Sequence, residues 1–210
     1  MDKIKIRTLV LGSVQTNCYL VYRENKEEAL IIDPAAGASV IEQAVDELHL
    51  KPQAILLTHG HFDHIGAAME IKRHYGIKIY ANELEKDVLN NSYHNLSELM
   101  TDRAFAIEAD EYVGDGTVLS LGGFQICAIS TPGHTKGGMC YLVSAEEESV
   151  LFSGDTLFAG SVGRYDFPTS SGTTLFASIR HKLMTLSDDL EVYPGHGMST
   201  TIGRERAERI

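Results

Sequence analysis

The sequence predicts an α/β chain with helices packed on the outside of sheets, and three observations predict it. Short apolar runs bounded by Gly, Pro, Asn and Asp recur along the chain, as strands do. From Ala38 onward, amphipathic helical stretches alternate with those runs in the order helix, strand, helix, strand, which places helices against a sheet. The second half is again rich in strand-type runs, so the two halves suit two sheets facing each other. No low-complexity linker, long charge run or defensible internal repeat divides the 210 residues, and residues 1–210 read as one domain.

Met1-Asp2-Lys3-Ile4-Lys5-Ile6-Arg7 alternates charged and apolar side chains in the way of a half-buried strand. Ile4 to Leu11 and Cys18 to Tyr22 read as two strands joined by a polar turn through Gly12, Ser13 and Asn17. Ala29 to Ile32 gives a third strand, ended by Asp33-Pro34. Asp33 has two readings, a turn former or helix cap and a carboxylate that orients a metal-binding imidazole. Val40, Ile41, Ala44, Val45 and Leu48 recur at helical spacing from Ala38 to Leu48, opposite Glu42, Gln43, Asp46 and Glu47. Pro52 separates that helix from a buried strand, Ala54 to Leu57. Ile65 to Tyr75 reads as one helix stopping near Gly76, and Ile77 to Tyr80 as another strand.

Residues 82–112 are polar with weak helical periodicity and read as short helices and a loop. Val113-Gly114-Asp115-Gly116 makes a turn, and Thr117 to Leu121 forms a hairpin with Phe124 to Ser130 across Gly122-Gly123. Met139 to Val143 and Val150 to Ser153 read as strands, Thr173 to Leu186 as an amphipathic helix, and Leu190 to Tyr193 as a last strand. The 14 residues after His196 are too few for another domain.

Hydrophobic residues at 43% and charged residues at 22% are ordinary globular values, which exclude a mainly disordered chain. A formal net charge of -11 argues against a general nucleic-acid binder, whose phosphate contacts need a basic surface. It says little about a small anionic substrate. Cys18, Cys127 and Cys140 are far apart and read as reduced thiols, not a disulfide frame. Neither a signal peptide nor a run of membrane-span length is present, so the expectation is a cytoplasmic protein with no membrane partner. The sequence assigns no oligomeric state.

Thr58-His59-Gly60-His61-Phe62-Asp63-His64 gathers four ligand-type side chains directly after an apolar run. Side chains two apart in an extended segment project to the same side, so His59 and His61 can grip one ion from a strand end, with Asp63 and His64 reaching past it. Gly60 removes a side chain where the backbone must turn sharply and approach the ion. Imidazole and carboxylate suit borderline-to-hard divalent cations. The same grammar returns further on: a strand ends, Gly or Pro forces a turn, and a ligand-type residue stands there. His134 does so in Thr131-Pro132-Gly133-His134-Thr135, Asp155 after Gly154, and His196 in Pro194-Gly195-His196-Gly197. Strand ends are the rigid supports a metal site needs, and 82–112 is expected to lie over it. His49, His74, His94 and His181 lack ligand-type partners and read as surface residues. Tyr141, Phe158, Tyr165 and Phe167 read as core aromatics or as pocket lining.

Found together in this order, these motifs resemble the metallo-β-lactamase superfamily over nearly the whole chain. The resemblance implies an αββα sandwich with a metal site at one edge of its two sheets. Within the superfamily the chain is similar to glyoxalase II (hydroxyacylglutathione hydrolase) and its short bacterial relatives, through Thr131-Pro132-Gly133-His134-Thr135 and Gly154-Asp155-Thr156-Leu157-Phe158. This implies two divalent cations, zinc first and iron or manganese as alternatives. His59, His61 and His134 would hold one, Asp63, His64 and His196 the other, and Asp155 would bridge them, with water between. Asp63 is implied as a catalytic residue as well as a ligand. Two such cations about 4 Å apart activate a shared water and polarise a carbonyl, so a small-molecule thioester such as S-lactoylglutathione is hydrolysed without a Ser or Cys nucleophile. No Gly-x-Ser-x-Gly elbow occurs in the chain.

There are departures from that family pattern. The longer glyoxalase II enzymes carry a C-terminal helical domain that completes the glutathione pocket, and this chain is expected to lack it. Where they place a Lys and then a Tyr after the bridging Asp, this sequence has Gly163-Arg164-Tyr165-Asp166-Phe167-Pro168. Arg164 has two readings, a fork for a substrate carboxylate and a structural partner of Asp166. Gly-Arg-x-Asp-Phe also resembles persulfide dioxygenases on the same fold, which implies a single iron at His59, His134 and Asp155. A third reading is a metal-stabilised binding scaffold without turnover, although a structural site needs only four closed ligands.

Overall fold

In the computed structural model, which describes residues 3–208, two six-stranded sheets face each other between outer helices, an αββα sandwich. The first sheet takes its strands in chain order: β1 (Ile4–Leu11), β2 (Thr16–Arg23), β3 (Glu28–Ile32), β4 (Lys51–Leu56), β5 (Lys78–Asn82) and β6 (Glu111–Val113). It is antiparallel as far as β3 and parallel from there on. Next come β7 (Val118–Leu121), β8 (Phe124–Ser130), β9 (Met139–Ala145) and β10 (Glu148–Gly154), then a ribbon of β11 (Leu157–Phe158) and β12 (Ser161–Val162), then β13 (Glu191–Pro194) and β14 (Thr200–Thr201). The second sheet has the order β14-β13-β10-β9-β8-β7 and is parallel only between β10 and β13. The helices are α1 (Ala38–Glu47), α2 (Phe62–Ile65), α3 (Ala68–Tyr75), α4 (Lys86–Leu89), α5 (Ser97–Met100), α6 (Gly172–His181) and α7 (Ile202–Ala207).

The two-residue period of a strand lets one apolar run serve two cores. In β2, Cys18 and Leu20 face the helical layer of α1 and α3, while Tyr19 and Val21 face the other sheet. β3 repeats this with Ile31 against Leu30 and Ile32, and β4 with Ile55 against Ala54 and Leu56. Phe124, Ile126, Tyr141, Val143 and Phe152 fill the inter-sheet layer from the opposite side. Cys140 and Leu151 turn outward to meet Leu175 and Ile179 of α6 and Ile202 of α7. Sheets covered on both faces bury continuous apolar runs, which is why these strands read as apolar stretches and not as strict alternation.

Several elements differ from their expected form. The single helix expected from Ile65 to Tyr75 is two, because Ala67 N–H leaves the helical ladder and donates to Pro34 O at 2.9 Å, docking the break on the turn after β3. Pro52 lies inside β4, not before it. It pairs with Ala29 where the register of β3 and β4 shifts, a place where a missing N–H is tolerated. The helix expected to reach Leu186 stops at His181 and continues as a 3-10 turn, Leu183–Thr185. Residues 82–112 hold short helices as expected, and also end in β6. β11, β12, β14 and α7 were not anticipated; the three strands are two residues each, too short to show a period. Of the N-terminal alternating stretch, Met1 and Asp2 lie outside the described residues, as do Arg209 and Ile210 of the expected domain. The three cysteines are free, Cys18 and Cys140 being buried. Among the described residues no helix is long and apolar enough to cross a membrane.

Candidate metal centre

The strand ends that carry the ligand-type residues converge at one edge of the sandwich. His61 Nδ1 lies 3.1 Å from His59 Nε2 and 2.9 Å from His134 Nε2, which makes a first group. Asp63 Oδ2 lies 3.4 Å from His64 Nε2 and 3.3 Å from His196 Nε2, which makes a second. Asp155 stands between them, with Oδ1 3.3 Å from His64 Nε2 and Oδ2 3.5 Å from His134 Nε2 and 3.6 Å from His196 Nε2. Atoms about 2.1 Å from one cation in tetrahedral directions sit about 3.4 Å from each other, which the contacts of Asp63 and Asp155 match and the rings of the first group undercut by a few tenths of an ångström.

Hydrogen bonds on the far side of each ring explain why these approaches suit cations and not protons. Thr58 Oγ1 donates to Asp33 Oδ2 at 2.6 Å, so its lone pair faces His59 Nδ1 at 3.2 Å and fixes the His59 proton there. His64 Nδ1 donates to Asp33 Oδ2 at 2.8 Å, His134 Nδ1 to Arg164 O at 2.7 Å, and His196 Nδ1 faces Gln15 O at 3.4 Å. With those protons at Nδ1, the Nε2 lone pairs of His59, His64, His134 and His196 point inward, at each other and at two carboxylates. His64 Nε2 and Asp155 Oδ1 are buried and face one another without a hydrogen bond. Acceptors that meet with no donor between them fit a divalent cation held by imidazole and carboxylate. Asp33 thus takes its second reading, the orienting carboxylate.

Charge agrees with geometry. Burial, helped by the neighbouring rings, holds His59 and His61 well below the usual imidazole range, so both are neutral and offer a lone pair that a cation could take. Burial alone would raise Asp63 and Asp155, but the facing histidines overrule it and hold both carboxyls low. Burial also opposes a charge on His64, yet Asp63, Asp155 and Asp33 overrule it and raise that ring well above its usual range, a demand for positive charge that a cation would meet instead.

Gly60 plays a different part from the one expected. Its φ is not positive; an added Cβ would stand 3.0 Å from Leu89 Cδ2 and 3.1 Å from Val88 Cγ1 of α4. Its N–H donates to Glu85 Oε1 at 2.8 Å. At Gly195 a Cβ would run into Asp155 Oδ1, so a glycine there lets the β13 turn close over the centre. The same turn is tied by Asn17, whose N–H donates to Gly195 O at 2.8 Å and whose Nδ2 donates to Pro194 O at 3.0 Å and Gly197 O at 2.9 Å. Thr16 Oγ1 donates to Asp63 Oδ2 at 2.7 Å. Thr16, Asn17 and Glu85 escaped the sequence reading, because polar residues in turns and polar stretches carry no spacing signal.

Glu85 is fully buried, and Thr135 Oγ1 donates to its Oε2 at 3.0 Å, with a further bond from the Gly137 backbone. One carboxylate therefore ties the loop of His59 and His61 to the loop of His134, the three residues of the first group. Burial pushes its carboxyl up to about 7. Glu85→Gln keeps the shape but leaves one donor facing an NH2, and is expected to weaken cation binding at the first group by about tenfold to a hundredfold, as read by chelator competition. Folding favours the neutral acid between its ordinary 4.5 and about 7, so stability falls as pH rises through that window, Lys136 working against the trend. Gln does not titrate, so the stability gap between wild type and Glu85→Gln should narrow from about pH 5 to about pH 7 in denaturant melts. A widening gap would show the sign to be wrong.

A cavity of 400 Å³ opens over the centre, walled by Val14, Phe62, Phe158, Val162 and Phe167 and by Leu96 and Met100 from the segment expected to cover it. Arg164 stands at its rim, but its guanidinium pairs with Asp166 at 2.9 and 2.8 Å and lies 4.3 Å from the centre of the Phe167 ring. Tyr141 belongs to the core, and Tyr165 is exposed and packs on Phe176. His49, His74 and His181 are exposed as expected, whereas His94 is half-buried near Asp87.

A family model described as the metallo-beta-lactamase superfamily matches residues 11–196. The chain is 38% identical to the hydroxyacylglutathione hydrolase GloC of Haemophilus influenzae, covering 97% of this chain and 95% of that one. Among solved structures, BLEG-1, described as a B3 metallo-beta-lactamase, superposes with a TM-score of 0.90 at 36% identity over 97% of each chain. ETHE1 from Myxococcus xanthus superposes with a TM-score of 0.78 at 27% identity, over 97% of this chain and 82% of that one. With the layered fold, the ligand groups at its strand ends and these matches in agreement, the chain belongs to the metallo-β-lactamase superfamily of metallo-hydrolases.

Proposed function

We propose that the chain is a thioesterase of the glyoxalase II kind that works with two divalent cations, zinc first. The observation that carries this is Asp155, whose carboxylate meets both ligand groups, Oδ1 facing His64 and Oδ2 facing His134 and His196, as a residue that would hold both cations must. The likeness to a hydroxyacylglutathione hydrolase over nearly the full length supports the thioester. The nitrogen-rich donor set supports zinc.

When bound, two such cations supply Lewis acidity to a carbonyl oxygen and bring the pKa of a shared water towards neutrality. The chain's own residues do the rest. Asp63, kept ionised by His64, His196 and the Thr16 hydroxyl, accepts a hydrogen bond from the attacking water and orients it. Asp33 and the Arg164 carbonyl stop His64 and His134 from rotating. Phe62, Phe158, Phe167 and Val162 keep bulk water from the carbonyl. The test measures metal content, S-lactoylglutathione hydrolysis, glutathione-persulfide-dependent oxygen uptake and hydrolysis of a β-lactam on one preparation. Two zinc ions with thioester turnover support the proposal; one iron with oxygen uptake supports the dioxygenase reading, which Gly163-Arg164-Tyr165-Asp166-Phe167 and the likeness to ETHE1 favour.

Arg164→Ala is expected to raise KM for carboxylate-bearing thioesters about two- to fivefold with little change in kcat, because an exposed guanidinium already shared with Asp166 is screened by solvent. The backbone carbonyl that holds His134 stays in place. An unchanged KM in the folded variant would leave Arg164 only its pairing with Asp166.

A further inference from the structure

The cavity over the centre does not end there. It shares Val14, Phe62 and Asp63 with a neighbour of 160 Å³, which shares Gly66 and Phe105 with a third of 650 Å³. The three form one groove that leaves the ligands past α2 and runs between α3 and the segment after α5. Its walls change character along the way. Near the centre they are apolar, with Val14, Phe62, Leu96 and Met100 lining them. At the far end Arg73 stands one turn beyond Met69 on α3, with Arg103 on the other wall and Asp102 the one acidic side chain. Arg164, Arg204 and Arg206 each pair with a carboxylate, whereas among the described residues neither Arg73 nor Arg103 is in an ion pair. Two exposed guanidinium groups without a carboxylate partner among the described residues make the far end of the groove locally positive on a chain of net charge -11.

We infer that this groove, apolar in its walls, binds the thiol arm of the substrate, an arm anionic at its end, with Arg73 and Arg103 on the anion. The inference rests on the thioester reading and adds the class of carrier: a long arm ending in a carboxylate or a phosphate. Guanidinium forks take either anion bidentately, so the arms of the test separate them.

The test compares wild type with the double variant Arg73→Gln, Arg103→Gln on three thioesters of one acyl group, carried on glutathione, on phosphopantetheine and on neutral N-acetylcysteamine. The ratio of kcat/KM for the anionic arm to that for the neutral arm is expected to fall about tenfold in the double variant, with KM moving more than kcat. The anion whose ratio falls further identifies the carrier chemistry. Calorimetry with the S-methyl thioethers of glutathione and phosphopantetheine, which cannot be hydrolysed, gives a second readout. If wild type hydrolyses none of the thioesters but binds one thioether in a way the double variant loses, the groove stands and the thioester reading falls. Unchanged ratios, or thioethers that bind neither protein or both equally, overturn the groove.

Discussion

Metal-free protein is expected to show no measurable thioester hydrolysis and to unfold well below the loaded form. Lone pairs from His59, His64, His134 and His196 meet two carboxylates at this edge, delivered by loops after four separate strands. Without a cation, only extra protons on rings such as His64 relieve that crowding. A ligand present at about a thousand times its Kd adds about 4 kcal/mol to stability. For a chain of this size that amounts to a fall in Tm of about 10 °C on stripping. The measurement is dialysis against a strong chelator, metal content by mass spectrometry, then activity and a thermal melt before and after stoichiometric zinc is returned. Full turnover in a verified metal-free sample would end the metal-dependent reading. Activity that returns with zinc, together with the Tm, supports it.

The side chains that converge at this edge were legible in the sequence because a metal site would concentrate unusual residues into short local spacings: His59, His61, Asp63 and His64 fall within one turn region, and His134, Asp155 and His196 each follow a strand and a Gly or Pro. The layered fold was legible because buried strands such as β3 and β4 are nearly continuous apolar runs. What organises the ligands was mostly hidden. Glu85 sits in a polar stretch where a glutamate ordinarily faces solvent, and only the packing of α4 beneath Gly60 buries it. Asn17 looks like any turn residue until β13 arrives from the far end of the chain to be held by it. The break before α3 is invisible for the same reason, since Ala67 leaves its ladder for a carbonyl from the turn after β3. A two-residue strand such as β14 exists only because β13 is beside it. Local chemistry leaves a local mark, whereas a role created by a distant partner leaves none.

Asp155→Ala and His196→Ala are expected to separate two cations from one. Asp155 touches both groups, so its loss should remove a ligand from each, at about 4 kcal/mol of transition-state stabilisation or roughly a thousandfold in rate. His196→Ala should empty mainly the group of Asp63, His64 and His196 and keep one cation at His59, His61 and His134, yet lose most of the hydrolysis as well. A single iron at His59, His134 and Asp155 predicts otherwise, because His196→Ala would then keep its iron and much of its oxygen uptake. Physical chemistry favours two. With one iron at His59, His134 and Asp155, the fully buried His64 Nε2 would stand 3.4 Å from Asp63 Oδ2 with no cation between them, although Asp33 holds that ring in place. A buried polar group left without a partner costs about 1–3 kcal/mol, and a fold does not fasten such groups together without return. Metal content, S-lactoylglutathione hydrolysis and persulfide-dependent oxygen uptake, measured side by side on wild type and both variants, decide it. Oxygen uptake by wild type with one iron per chain, surviving His196→Ala, overturns the two-cation assignment; loss of hydrolysis in both variants, with one cation retained in His196→Ala, upholds it.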